Sequence, residues 1–118
     1  MPEEYQNVSV EDFVGYSKSM FEYWTEDDFA SSFRKMLTIE QFRSEEMQKL
    51  YQQYLVAGPA SYVKDLFDSM GFTNAKNKAV RFYAVMHFYY SLYDGAEDTE
   101  NVKDGFVSAI KSLVQELK

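Results

Sequence analysis

The segment from Ala75 to Asp94 constrains the fold more than any other part of the chain. At about 100° per residue, Ala75, Ala79, Phe82, Met86, Tyr89, Tyr90 and Tyr93 share one face of a helix, while Arg81, Val85, Phe88 and Leu92 share another. Lys76, Asn77, Ser91 and Asp94 fill the remaining arc, so more than half of the circumference is apolar. A helix at a protein surface carries one apolar stripe. This one has to bury one face in its own core and cover the other with a further helix or a second subunit.

The rest of the chain supplies helices to surround it. Pro2 and Pro59 are the only prolines and Ile and Thr are scarce, so the turn density and β-branched runs of a sandwich or barrel are missing. Ser9 opens a capping box with Asp12, and Val10, Phe13, Val14, Ser17, Met20, Phe21 and Trp24 follow at helical spacing. Thr25 is a candidate cap for a second helix, with Glu26, Asp27 and Asp28 at the positive end of its dipole and Phe29, Phe33, Met36 and Leu37 as its stripe, fading near Phe42. Ser44, Glu45 and Glu46 start a third, carrying Met47, Leu50, Tyr51, Tyr54 and Leu55. A fourth begins at Pro59, turns Tyr62, Val63, Leu66, Phe67 and Met70 inward and stops at Gly71; a single kinked helix from Glu45 to Met70 is the alternative. The Ala75 segment follows Thr73 or Asn74, and Thr99 caps a last helix bearing Val102, Phe106, Ala109, Ile110, Leu113 and Leu117. The expectation is an all-α bundle of about six helices, with residues 1–8 a flexible leader and residues 9–118 one domain.

Charge and cysteine count exclude several functions. The net charge of −7, with a pI near 4.6, argues against a module that grips DNA or anionic lipid by charge, and most of the acidity lies in the first half. The absence of Cys removes disulfides, thiolate nucleophiles and cysteine-based zinc sites. No basic, apolar leader opens the sequence and no stretch reads as a membrane span, so a cytoplasmic location without a membrane partner is expected.

Catalytic signals are weak. His87 is the only histidine and reads as a partly exposed side chain at the edge of a polar arc, with a pocket contact as the alternative. Glu22 and Glu26, spaced i to i+4, read as a solvated face and not as an acid–base pair. The run from Asp94 to Glu100 places Ala96 where a calcium loop needs a ligand, so it reads as a turn and an acidic helix start. Asn7-Val8-Ser9 matches a glycosylation acceptor, which is without meaning in the absence of a signal peptide. Lys76, Lys78 and Arg81 form a small basic cluster that reads as solvated, with contact to an anionic ligand or a neighbouring acidic surface as the alternative. No nucleotide, metalloprotease or hydrolase signature occurs, so neither an enzyme nor a cofactor or metal is expected.

The aromatic load of 10 Tyr, 10 Phe and 1 Trp, with 6 Met, is the functional feature. One reading has these residues simply fill the core. The other has several of them line a cavity for a small apolar or aromatic effector, because such pockets are apolar with a few placed hydroxyls and methionine adapts to irregular ligands. The inward candidates are Trp24, Phe33, Met36, Tyr62, Tyr83, Met86 and Tyr90. A homodimer is expected through the last two helices, using Arg81 at the rim, Val85, Phe88 and Leu92, the small strip Gly105, Ala109 and Ser112, and Phe106, Ile110 and Leu113, which either extend that contact or anchor the last helix to its own core.

The run from Phe33 through Arg34, Lys35, Met36, Leu37, Thr38, Ile39, Glu40, Gln41 and Phe42 to Arg43, then Glu46-Met47, Leu50-Tyr51, Tyr54, Gly58-Pro59, Tyr62 and Leu66-Phe67, resembles the C-terminal regulatory domain of TetR-type bacterial transcriptional regulators. The likeness covers roughly Phe13 to the end. It implies an all-helical effector-binding and dimerisation domain, with the last two helices of each subunit in a four-helix interface. Members of that family read DNA with an N-terminal helix-turn-helix, which nothing before Ser9 supplies, so DNA contact is expected only through that absent part. A stand-alone helical module that pairs with another protein through the same apolar faces is the alternative.

Overall fold

The computed structural model describes residues 8–118, so all but Val8 of the expected leader, and Asn7 of the glycosylation match, lie outside the described residues. Among the described residues the structure is all-helical with no strand: α1 (Val10–Glu26), α2 (Asp28–Glu40), α3 (Glu45–Leu55), α4 (Ala57–Ser69), α5 (Ala75–Gly95) and α6 (Thr99–Leu117). The segments α3 and α4 abut at one residue, Val56, and form one bent helix, as in the alternative of a single kinked helix, so the bundle counts five helices where about six were expected. The ladder nearly survives the bend: the Val56 N–H donates to the Gln52 carbonyl at 3.2 Å and the Val56 carbonyl accepts from Ala60 at 3.0 Å. Gly58 allows it. A Cβ there would stand 2.0 Å from the Gln53 carbonyl oxygen, which no side chain tolerates.

Several helix ends follow the sequence. The Ser9 hydroxyl accepts from the Asp12 N–H at 3.0 Å and the Asp12 carboxylate accepts from the Ser9 N–H at 3.3 Å, completing the capping box. Ser44 caps α3 through Met47 at 3.1 Å. Gly71, at φ +81°, closes α4: its N–H donates to the Asp68 carbonyl and the Phe72 N–H to the Phe67 carbonyl, and the rings of Phe67 and Phe72 pack with centroids 5.2 Å apart.

Three other ends are corrected. Thr25 stays inside α1, its hydroxyl donating to the Phe21 carbonyl at 2.6 Å, and Asp27 caps α2 by accepting from Ala30 at 2.8 Å. Asp98 and not Thr99 caps α6, through Asn101 at 3.1 Å. The helix after the bend begins at Ala57 and not Pro59, which is tolerated because the first turn needs no proline N–H.

The core gathers Phe13 and Phe21 of α1, Val63, Leu66 and Phe67 of α4, Ala79, Phe82, Met86 and Tyr90 of α5, and Phe106, Ile110, Val114 and Leu117 of α6. Phe21 and Phe106 stack with centroids 4.4 Å apart, which ties α1 to α6. The helix α2 is rotated from its expected facing. Ala30, Arg34 and Leu37 are buried, whereas Phe29 is 75% exposed and Met36 38% exposed. A guanidinium faces inward there because Asp94 and the Trp24 carbonyl bind it.

Candidate functional site

Four segments, α1, α3, α4 and α5, line a half-open cavity of about 290 Å³. α1 lends Tyr16, Met20 and Trp24, α3 lends Tyr54 and Leu55, α4 lends Pro59 and Tyr62, and α5 lends Tyr83, Met86 and Tyr90. Leu55 and Pro59, on either side of the bend at Val56, both line the cavity. Five of the seven expected effector residues line this cavity: Trp24, Tyr62, Tyr83, Met86 and Tyr90. Phe33 and Met36 do not, because the rotation of α2 carries them outward; Phe33 packs edge-on against Tyr54, centroids 5.4 Å apart, and stacks on Phe29. Sequence reasoning missed Tyr16, Met20, Tyr54, Leu55 and Pro59, although Tyr16 and Met20 precede Trp24 on the same helix at intervals of four residues.

No wall residue carries a formal charge. The rings of Tyr16 and Tyr62 lie 5.6 Å apart, and Tyr83 shares a hydrogen bond with Tyr16. Burial pushes the phenols of Tyr83 and Tyr90 well above the usual tyrosine range, so both remain protonated donors near neutrality.

Behind Tyr90 stands the charge that the sequence concealed. Arg34 donates from Nη1 to Asp94 Oδ2 at 3.0 Å, from Nη2 to Asp94 Oδ1 at 2.6 Å and from Nε to the Trp24 carbonyl at 2.9 Å, and its guanidinium lies 4.8 Å from the centre of the Tyr90 ring. The Trp24 carbonyl belongs to the last turn of α1, where carbonyls lack helical partners, and Asp94 belongs to the last turn of α5, where a lone carboxylate would oppose the dipole. One arginine answers both needs. His87 is half-buried and bonds through Nε2 to the Leu55 carbonyl at 2.7 Å, with its ring 5.4 Å from Tyr90; burial holds its pKa below the usual histidine value. It is therefore a tether for the end of α3.

Glu22 and Glu26 are not a merely solvated face. They accept from Lys103 at 3.1 and 2.8 Å, Glu100 adds a third carboxylate at 3.3 Å, and the four groups pin α6 to α1. Lys103 is thereby held charged, first by its bond to Glu26.

The residues expected at a dimer contact separate into two sets. Phe106, Ile110 and Leu113 are buried in the chain's own core and are removed from the candidate interface, because the stripe of α6 faces α1 and α5. Arg81 is exposed with Nη2 3.3 Å from Glu116, Phe88 is 61% exposed, Leu92 42% exposed, and Val85 is half-buried. Beside them on α6, Gly105 and Ala109 are half-buried and Ser112 is exposed; Tyr89 already fills the space over Gly105. A second recess lies between α1 and α6, with Val10, Val14 and Val107 as floor and Lys18, Lys111 and Glu11 at its edge. No group of three or more His, Cys, Asp or Glu among the described residues is arranged to hold a metal ion, and no helix among them is long and apolar enough to cross a membrane.

Compared with models of known families, with curated proteins and with solved structures, the chain matches none.

Proposed function

We propose that the chain is the effector-sensing and dimerisation domain of a TetR-type bacterial transcriptional regulator, taking a small apolar or aromatic molecule into the aromatic cavity. The observation that carries this is the convergence of six aromatic residues and two methionines from α1, α3, α4 and α5 on one space of about 290 Å³. A ligand there touches several helices at once, so it favours one arrangement of them over another. The helix α5 is the natural transmitter: Tyr83, Met86 and Tyr90 line the cavity, and Val85, Phe88 and Leu92 present the face for a second copy. DNA contact in this scheme belongs to a helix-turn-helix N-terminal to the helical domain, and the net charge of −7 leaves no phosphate-gripping role to the domain itself. The scheme involves no enzyme activity and places the protein in the cytoplasm.

A stand-alone helical interaction module is the second reading, favoured by the exposed Phe29, Ile39 and Phe42 at 75%, 65% and 85%. Ligand titration separates the two. Trp24, the only tryptophan, lines the cavity, so its fluorescence responds to an apolar metabolite or drug that enters. Saturable binding lost in Tyr62→Ala, Tyr83→Ala and Tyr90→Ala supports the sensor; saturable binding that survives all three refutes this site.

A further inference from the structure

The cavity walls define the charge and size of what fits inside, and the selectivity they define rests on the sensor function proposed above. We propose that the cavity selects an uncharged planar aromatic molecule of about two fused rings.

The size follows from volume. A cavity of about 150 Å³ holds one benzene, so about 290 Å³ takes two fused rings whole, whereas four rings would not fit inside it entire. Aromatic planes from Trp24, Tyr16 and Tyr90, with the thioethers of Met20 and Met86, are partners for a flat polarisable ligand.

The exclusion of charge follows from Arg34 and Asp94. None of the ten lining residues is Asp, Glu, Lys, Arg or His, so a charged ligand must look behind the wall for a counter-ion. An anion finds Arg34 shielded by the Tyr90 ring, with both terminal nitrogens on Asp94 and Nε on the Trp24 carbonyl. A cation finds the converse. Asp94 is engaged bidentately, and the guanidinium already occupies one face of Tyr90, so a second cation on the cavity side would confront it across that ring. An aromatic cage for quaternary ammonium groups is thereby disfavoured despite its many rings. Tyr83 and Tyr16 share a hydrogen bond, and phenols both donate and accept, so a ligand hydroxyl or carbonyl is the polar group this wall suits, which a neutral molecule can supply.

The test uses the whole chain and four probes near neutral pH: naphthol, its anionic counterpart naphthoate, the cation N-methylquinolinium, and the four-ring hydrocarbon pyrene, each followed by calorimetry and Trp24 fluorescence. Naphthol is expected to bind saturably, with both charged probes at least about 100-fold weaker, because each forfeits its hydration without gaining a partner, and pyrene excluded. Naphthoate or N-methylquinolinium binding within about threefold of naphthol, or pyrene binding as tightly, overturns the selectivity and leaves the sensor function standing. Failure of all four probes to bind overturns the cavity as a ligand site, and the sensor function with it.

Discussion

Replacing Arg34 by Met removes the guanidinium while keeping much of the side-chain volume. Three charge-assisted hydrogen bonds and the stacking on Tyr90 are lost together. Breaking a fully buried ion pair costs about 3–5 kcal/mol. Here the arginine side chain is 5% exposed but Asp94 is 31% exposed, so the abandoned carboxylate recovers part of its hydration. The expected loss is therefore about 2–3 kcal/mol, which for a domain of this size lowers the melting temperature by about 10 °C. Urea unfolding followed by circular dichroism measures it. In a double-mutant cycle, Asp94→Asn should add little once Arg34 is gone, giving a coupling of at least about 1 kcal/mol. A loss below about 0.5 kcal/mol with additive single mutants would show that the arginine is an ordinary surface charge and refute its role as a latch on α1, α2 and α5.

His87 has a depressed folded pKa, so the unfolded chain binds its proton first as pH falls; the contribution to stability is intact above about 6.5 and declines below it. Denaturation midpoints should fall from pH about 7 to about 5.5, and His87→Gln should flatten that slope. Gly58→Ala should cost more than about 1 kcal/mol, because its Cβ would collide with the Gln53 carbonyl at the bend; a neutral result in thermal melts would mean that the bend is absent in solution. Phe88→Glu should turn a dimer into a monomer with its helix content intact, read by light scattering at tens of micromolar; a monomeric wild type contradicts the pairing. The chain alone should give no sequence-selective DNA shift at physiological salt.

Local rules carried the parts of the fold whose causes are local. Ser9, Ser44 and Gly71 cap helices through neighbours a few residues away, and the buried face of α5 follows from its apolar spacing. The same spacing only partly placed α2. Of its apolar stripe Leu37 is buried but Phe29 and Met36 are exposed, and Arg34 turns inward to a partner, Asp94, that lies 60 residues away in sequence. Lys103 is buried for a similar reason, held by Glu22 81 residues earlier. Hydropathy cannot rank a charge as interior until its counter-charge is known. Half of the cavity wall was legible, chiefly because Trp24, Tyr83, Met86 and Tyr90 lie on the inward arcs of two long helices. Leu55 and Pro59 were not, since only the bend at Val56 brings them to the wall.

The decisive measurement is a crystal structure of the protein grown with naphthol. Ligand density is expected between Trp24, Tyr83, Met86 and Tyr90, with the Arg34 to Asp94 pair still closed behind Tyr90. Density confined to the groove of Val10, Val14 and Val107 between α1 and α6, with the aromatic cavity empty or collapsed, would contradict the effector site.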